Sequence, residues 1–249
     1  MSVAIGFAIA GLVSAATIQD RSLAQRVADI RDGKVRMSFA ARPGIRCEGS
    51  TVSRRDSADW ESTCEDGPVR LVFELSRGEV VDLDVYVGGR WRPAARSTVD
   101  LGLVSAPRAA DFLLVLARQS PVRSGKRAIF AAVMADSAVV WPDLLRIARD
   151  RSRSDDLRKG AVFWLGQAAG SAATVGLDEL AADETLDRDV RETVVFALSQ
   201  RLPDEAVPVL IRIVRTHPDP AIRKKAVFWL GQTDDPRALQ LFEELLSGN

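Results

Sequence analysis

An eleven-residue phrase that recurs along the chain constrains the fold more than any other feature. It reads LRKGAVFWLGQ at Leu157–Gln167 and IRKKAVFWLGQ at Ile222–Gln232, and a looser copy, VRETVVFALSQ, lies between them at Val190–Gln200. The copies begin at residues 157, 190 and 222, so their offsets are 33 and 32 residues. Self-similarity at a period of about 20–50 residues indicates a repeat protein. We therefore expect an array of similar units, each burying its apolar surface against its neighbours.

Each copy carries the signals of a buried helix. Ser154, Asp187 and Asp219 stand three residues before the copies, and such side chains accept hydrogen bonds from the free N–H groups of a first helical turn. The run AVFWL in the last copy is apolar without a break, which is typical of a helix buried on several sides. We interpret Trp164 and Trp229 as core packing rather than as ligand-stacking residues, because aromatic side chains commonly fill cores.

A second helix is predicted after each copy. Apolar residues recur at helical spacing in 206–216 and 237–246. Apolar residues in 177–183 and 142–150 occupy the corresponding positions of the earlier units. The segment KRAIFAAVM at Lys126–Met134 lies one period before the first copy. The sequence therefore predicts four helix pairs from about residue 122 to residue 249.

The N-terminal half shows the two-residue alternation of strands. It occurs in Lys34–Ala41, in Val69–Leu75 and in Val81–Val87, and it predicts a small antiparallel sheet of three or four strands. A short amphipathic helix is predicted at Arg21–Arg31. A connector over 92–107 and a helix at Arg108–Gln119 would lead into the array and cover its first unit, because terminal repeats need a cap.

The first eighteen residues predict export. Met1–Ile18 carries no charged side chain, and its small residues near position 15 suit a signal peptidase. An uncleaved anchor is the alternative, although a membrane span usually needs about 20 apolar residues, and a cytoplasmic protein is a third case. We expect a periplasmic or secreted protein, or one anchored to the membrane by residues 1–18.

The predicted organisation has four parts: a signal peptide at 1–18, a small β domain with an N-terminal helix at 19–98, a connector with a capping helix at 99–121, and repeats at 122–249. The fold class is α+β and mainly α, in which an α-α solenoid of about four helix pairs follows a small antiparallel sheet.

The repeats resemble a known family. The pattern Asp-x-x-Val-Arg-x-x-Val-x-x-Ala-Leu at Asp187–Leu198 resembles the HEAT-repeat motif, and residues 219–230 and 154–165 follow it. The resemblance implies an armadillo-like α-solenoid whose second helices line a concave binding face. It also implies that Arg158, Arg191 and Arg223 tie neighbouring repeats to the capping residues. Ser154 replaces the usual Asp, which would weaken that tie in its repeat.

The whole chain is also similar to bacterial exported HEAT-repeat proteins with a small N-terminal β domain. The FWLGQ phrase and the YVGGRW segment carry this similarity. It implies no defined activity.

Charge and composition narrow the class of partner. The 249 residues include 34 basic and 34 acidic side chains, so the formal net charge is zero. A neutral chain argues against nucleic acid as a partner, because phosphate binding needs a cationic excess. Arg118–Lys159 is locally basic, with ten Lys or Arg against five Asp or Glu. We interpret it as a solvated helical face, and a patch for an acidic partner is the alternative.

The residues that could carry chemistry are few. Cys47 and Cys64 would form a disulfide in an exported protein, stabilising it by about 3 kcal/mol; in a reducing compartment they would be two unpaired thiols. His217 is the only histidine, and a structural zinc site needs more Cys or His than this chain has. We interpret His217 as a helix C-terminal residue. No catalytic residues, metal site or cofactor are predicted.

The predicted function is non-enzymatic binding of another protein in the bacterial cell envelope. The second helices would form the docking surface, with contacts from Arg146, Arg149, Arg212 and Arg215. Two alternatives stay open: an accessory enzyme similar to the HEAT-like lyases that attach bilin chromophores, and a structural envelope protein. Contact with a membrane is expected only if residues 1–18 are not cleaved.

Overall fold

The structure is a computed structural model that describes residues 22–46, 58–63, 65–120, 122–168 and 170–247. In chain order its helices are α1 Leu23–Ala28, α2 Ala106–Gln119, α3 Val122–Val133, α4 Trp141–Arg149, α5 Asp155–Gly166, α6 Ser171–Ala182, α7 Arg188–Ser199, α8 Pro203–Thr216, α9 Pro220–Leu230 and α10 Pro236–Ser247. Its strands are β1 Gly33–Phe39, β2 Trp60–Glu61, β3 Val69–Ser76, β4 Glu79–Val87, β5 Arg90–Trp91 and β6 Thr98–Leu103.

The predicted fold class is confirmed, and α3–α10 form the four expected helix pairs. The recurring phrase builds α5, α7 and α9, and KRAIFAAVM builds α3; we call these four the repeated helices. The helices that follow each of them, α4, α6, α8 and α10, are the second helices. The repeated helices pack against one another and against their second helices, which explains the nearly continuous apolar run in each phrase.

The N-terminal sheet is mixed rather than wholly antiparallel. Its four main strands lie in the order β4-β3-β1-β6, and β6 pairs parallel to β1. The β3–β4 hairpin turns at Arg77 and Gly78, which both have positive φ, as its tight turn requires. Residues 98–103 were predicted as part of the connector, because apolar and polar residues alternate poorly there, and the strand that they form is largely exposed.

The sheet and the helices share one hydrophobic core. The inner face of the sheet packs against α2 and α3, and Phe73 meets Phe112 edge to face at 5.7 Å between ring centroids. The guanidinium of Arg127 on α3 lies 3.0 Å from the Asp82 carboxylate and 3.2 Å from that of Asp84. The sheet and α2 therefore cover the first unit of the array, as a terminal cap must.

A smaller cluster covers the outer face of the sheet. β2 and β5 pair across it, and Trp60 stacks on Tyr86 at 4.7 Å between ring centroids. The guanidinium groups of Arg36 and Arg70 lie 5.0 and 5.2 Å from the centroid of the Trp91 ring. Burial, together with the nearby positive charge of Arg36, lowers the pKa of Arg70. This cluster has a structural role, because the guanidinium groups of Arg36 and Arg70 lie on an aromatic face and donate to backbone carbonyls.

Arginines near the start of α5 and α7 tie these helices to the following repeated helix. Arg158 is 2% exposed, and its Nη1 lies 2.7 Å from Oδ2 of Asp187 in the following repeat. Arg191 makes the equivalent contact with Asp219 at 3.5 Å. Each of these arginines also donates to a backbone carbonyl that precedes its own helix, at Ala148 in the last turn of α4 and at Leu186 in the loop before α7.

The tie predicted for Arg158 and Arg191 is therefore present, and that of Arg223 differs. Arg223 donates to the carbonyls of His217 and Pro218. Ser154 and Asp219 act as N-caps through their side chains. Asp187 occupies the N-cap position without a capping bond from its side chain, because its carboxylate accepts from Arg158 instead, and that bond lowers the pKa of Asp187.

A second set of ties joins the other ends of the repeats, and the sequence analysis missed it. Arg201 donates to the carbonyls of Gly166, Ala168 and Gly170, and to Thr174 and Glu205. It thereby satisfies carbonyls at the end of α5 that have no partner within that helix. Arg237 reaches Asp204 at 3.3 Å in the same manner, and its hydrogen bonds lower the pKa of Asp235 to about 2.

His217 links two repeats as well. It is buried, its Nε2 lies 3.0 Å from the carbonyl oxygen of Ala181, and its Nδ1 accepts from the backbone N–H of Asp219 at 3.1 Å. The neutral imidazole with its proton on Nε2 satisfies both contacts. His217 is the C-cap residue of α8, as predicted, and its side chain also serves as a hydrogen-bonding link.

The buried tie gives a test of what holds the array together. We expect Arg158→Ala to lower the free energy of unfolding by about 1–3 kcal/mol, because it removes a buried side chain and takes a hydrogen-bond donor away from the Ala148 carbonyl. The matched control is Arg188→Ala, whose side chain is 63% exposed and 3.3 Å from Asp219; it should cost less than about 1 kcal/mol. Urea unfolding of the two variants measures both, and equal losses would contradict the structural role of Arg158.

Candidate functional site

Four phenylalanines lie in register along the repeated helices. Phe130, Phe163, Phe196 and Phe228 occupy the same position of the phrase in α3, α5, α7 and α9. Phe163 and Phe228 are 39% and 55% exposed, and Phe130 and Phe196 are half-buried. Neighbouring positions of the phrase, such as Val162 and Leu165, are buried, so the phenylalanines lie on the more exposed side of each repeated helix.

Two tryptophans connect these phenylalanines into one surface. Trp164 lies 5.5 Å from Phe130 and 5.1 Å from Phe163 between ring centroids. Trp229 lies 5.0 Å from both Phe196 and Phe228. Phe163 stacks on Phe196 at 6.4 Å. The six side chains form a continuous surface across four repeats, which we call the aromatic stripe.

Trp164 and Trp229 pack against the core with one side of each ring, as predicted, and the other side is not buried. Both rings pack against the main core, yet both are half-buried. Nε1 of Trp229 is enclosed and has no hydrogen-bond partner among the described residues. Their exposed sides belong to the aromatic stripe. Helical periodicity marks the whole phrase as apolar and cannot distinguish the side of a helix that meets a neighbour from the side that meets solvent.

Charged pairs border the stripe on the N-terminal side of the helices. Lys126 pairs with Asp156 at 2.8 Å, Lys159 with Asp189 at 3.1 Å, and Lys225 with Glu192 at 3.3 Å. Each pair joins two adjacent repeated helices, so its charges balance. A depression of about 370 Å³ lies between the last two pairs and is lined also by Phe196 and Trp229. On the other border Gln167, Gln200 and Gln232 are exposed.

The two layers of the array are spaced differently. Successive repeated helices pack directly against one another, whereas successive second helices touch far less. A Cβ added at Gly166 on α5 would lie 2.9 Å from the carbonyl oxygen of Ala197 on α7, so these helices approach as closely as their backbones allow. The repeated helices therefore form the more closely spaced layer of the array. The expectation that the second helices line a concave binding face stays a prediction.

The four arginines proposed as partner contacts lie on the second helices, and each forms an ion pair with a carboxylate. Arg146 pairs with Asp143 in its own helix. Arg149 pairs with Glu179, Arg212 with Asp178, and Arg215 with Glu244, each in a neighbouring second helix. These long side chains bridge the wider gaps between second helices. Their role in partner binding stays a prediction.

The basic stretch Arg118–Lys159 is balanced by neighbouring carboxylates. Eight of its ten cations lie within 4.0 Å of a carboxylate, as in Arg118–Asp143, Arg127–Asp82 and Arg153–Asp150. The acidic partners lie both inside the stretch, as Asp143 does, and outside it, as Asp82 does. Arg158 is buried and does not belong to a solvated face, and for the rest of the stretch that interpretation stays a prediction.

A pocket lies where the sheet meets the array. Its cavity volume is about 380 Å³, and Trp141, Trp164, Val139, Arg42 and Gln167 are among the residues that line it. The backbone of Arg42 donates to the carbonyl of Met134 at 2.8 Å, which fixes the end of the sheet segment against the end of α3. Trp164 belongs to both this pocket and the aromatic stripe, so the two surfaces are continuous.

The remaining predictions on chemistry concern residues outside this surface. Cys47 and Cys64, and the segment 1–18, lie outside the described residues. Within the described ranges no group of three or more His, Cys, Asp or Glu side chains is arranged to hold a metal ion. Among the helices of those ranges, none combines the length and the apolar character that a membrane crossing needs.

Comparison with known proteins supports the repeat assignment. Residues 177–249 match the family of HEAT repeats. The match begins inside α6 and runs to the end of the array, and it includes α7 and α9 with their copies of the phrase. No curated protein matches the chain. HEAT repeats commonly form protein-interaction solenoids and generally act as non-catalytic scaffolds.

The close approach of α5 and α7 can be tested with two glycines of one helix. We expect Gly166→Ala to destabilise the fold by about 1–3 kcal/mol, because the added methyl group overpacks against Ala197. Gly160→Ala is the matched control, since its new Cβ would meet only the flexible side chain of Lys126 at 3.7 Å; it should gain about 0.5–1 kcal/mol from helix propensity. Thermal unfolding of both variants measures the two effects. A gain in stability at both positions would contradict the close approach of α5 and α7.

Proposed function

We propose that this chain is a non-enzymatic scaffold that binds a partner protein on the aromatic stripe of its repeated helices. The observation that carries the proposal is the exposure of phenylalanines repeated in register, with Phe228 55% exposed. An exposed helix position accepts polar side chains at little cost in stability, within about 0.5 kcal/mol. Folding alone therefore does not require a phenylalanine at these positions.

The composition of the surface favours a protein partner. Aromatic residues are enriched at the centres of protein interfaces, and the surrounding rim is polar. The stripe has this arrangement, because its rings are bordered by the lysine–carboxylate pairs on one side and by three glutamines on the other. The balanced charges of that border disfavour a polyanion.

The proposal predicts which variants lose the partner. The double variant Phe163→Ser with Phe228→Ser should reduce partner recovery at least tenfold, because each ring contributes more than about 1 kcal/mol at an interface centre. Val175→Ser with Leu202→Ser is the matched control, since these apolar residues are 58% and 69% exposed on the second-helix side; it should bind normally. Quantitative pull-down from the producing cells, with circular dichroism to confirm folding, measures the effect.

The same pull-down tests whether the four arginines predicted as partner contacts bind the partner. Reversal of Arg146, Arg149, Arg212 and Arg215 to Glu should leave recovery unchanged if the stripe is the docking surface. A photo-crosslinking amino acid at Gln200, beside Phe196, should capture the partner, and the same group at Val175 should not. If the charge-reversed variant loses the partner while the serine variant of the stripe keeps it, the second helices are the docking surface instead.

We further propose that the scaffold works in the cell envelope of a bacterium. Two features support this: Met1–Ile18 has no charged side chain and reads as a signal peptide, and Cys47 and Cys64 are the type of pair that an oxidising compartment would join.

Intact mass measurement of the protein purified from its native cells tests the envelope proposal. We expect a chain shortened by about fifteen residues, with a mass two hydrogens below that of the reduced form because of one disulfide. A chain that retains residues 1–18 and two reactive thiols would contradict export with cleavage.

A further inference from the structure

We infer that the pocket at the junction of sheet and array binds the C-terminal carboxylate and apolar last residue of an extended peptide segment of the partner. This inference rests on the proposed function and adds the chemistry of the partner. The pocket, of about 380 Å³, lies within the range of about 300–1,000 Å³ that small ligands occupy. It also lies between two structural units, where such sites are common.

The lining of the pocket specifies an apolar group. The rings of Trp141 and Trp164 and the side chain of Val139 contribute to its walls. Val139 is 72% exposed and both tryptophans are half-buried, so this apolar surface is open to solvent. An aliphatic or aromatic side chain placed here would remove that surface from water.

The polar groups of the pocket specify a carboxylate. Arg42 lines the pocket and is half-buried. Its guanidinium has neither a carboxylate nor a hydrogen-bond acceptor within bonding distance among the described residues. An arginine presents a planar fork of donors that matches a carboxylate, and the amide of Gln167 lies on the same wall. An apolar residue with a free carboxylate satisfies both parts of the site.

The continuity of the pocket with the stripe indicates that the ligand is the end of a peptide rather than a free acid. Trp164 forms part of the pocket and contacts Phe130 and Phe163 of the stripe. A chain whose last residue lies in the pocket can therefore continue over the rings of successive repeats. The pocket would fix the end of that chain, and the stripe would bind the segment before it.

The pocket is tested with small probes on the full chain, through the ¹⁵N–¹H signals of the tryptophan indoles. N-acetyl-leucine should shift the signals of Trp141 and Trp164, leave those of Trp60 and Trp91 unchanged, and bind at least tenfold more tightly than N-acetyl-leucinamide. Arg42→Gln should abolish this preference. Arg46→Gln, which changes an exposed arginine four residues away, should retain it. Equal binding of acid and amide, or the absence of shifts at both indoles, would overturn the carboxylate site.

A longer probe distinguishes a peptide end from a free acid. An acetylated octapeptide of Gly, Ser and Leu that ends in Leu should bind more tightly than N-acetyl-leucine, and Phe163→Ser should remove that gain. An octapeptide that binds no better than N-acetyl-leucine would overturn the peptide assignment and leave a site for free acids. Loss of the acid preference while the partner still crosslinks beside the stripe would refute this inference alone; loss of partner crosslinking with the acid preference intact would refute the proposed function alone.

Discussion

The direct contact between successive repeated helices is the constraint on which the rest of the structure depends. Gly166 and Ala197 meet there, and a methyl group added at the glycine would have no room. This spacing brings the ends of adjacent helices close enough for Arg158 to reach Asp187 and for Arg191 to reach Asp219. Successive second helices touch far less than successive repeated helices do. The long side chains of Arg149, Arg212 and Arg215 bridge the gaps between successive second helices.

The aromatic stripe follows from the same constraint. A residue at one position of the phrase lies on the same side of every unit, so a phenylalanine that is exposed or half-buried in each copy gives a row of rings. The next position carries tryptophan in α5 and α9 but Ala197 in α7, where α5 approaches most closely. A large ring at residue 197 would occupy the space that Gly166 leaves free. The stripe therefore has its tryptophans in alternate repeats, each resting on the phenylalanine of the preceding repeat.

The sequence predicted the units of this fold better than their arrangement. Period and phase located α3–α10, and the alternation of apolar residues located β1, β3 and β4, because these signals are local. The parallel pairing of β6 depends on contacts between residues about 64 positions apart, such as Lys34 with Thr98, and no local pattern encodes such a pairing. The spacing of the two helix layers was not predicted for a similar reason. It depends on backbone approaches such as the one at Gly166, which the apolar pattern does not show.

The sheet contributes what a repeated surface cannot provide by itself. Equivalent positions in successive repeats offer similar contacts, so an extended partner could shift by one unit at little cost in binding energy. At the junction with the sheet the repetition ends: Arg42 comes from the sheet side, Trp141 from a second helix and Trp164 from a repeated helix. Their combination does not recur one period later, because the position equivalent to Trp164 in the next unit is Ala197. A ligand group recognised at this junction would fix the register of a peptide bound along the stripe, and the cap that completes the first repeat would thereby also give the proposed binding surface a defined starting point.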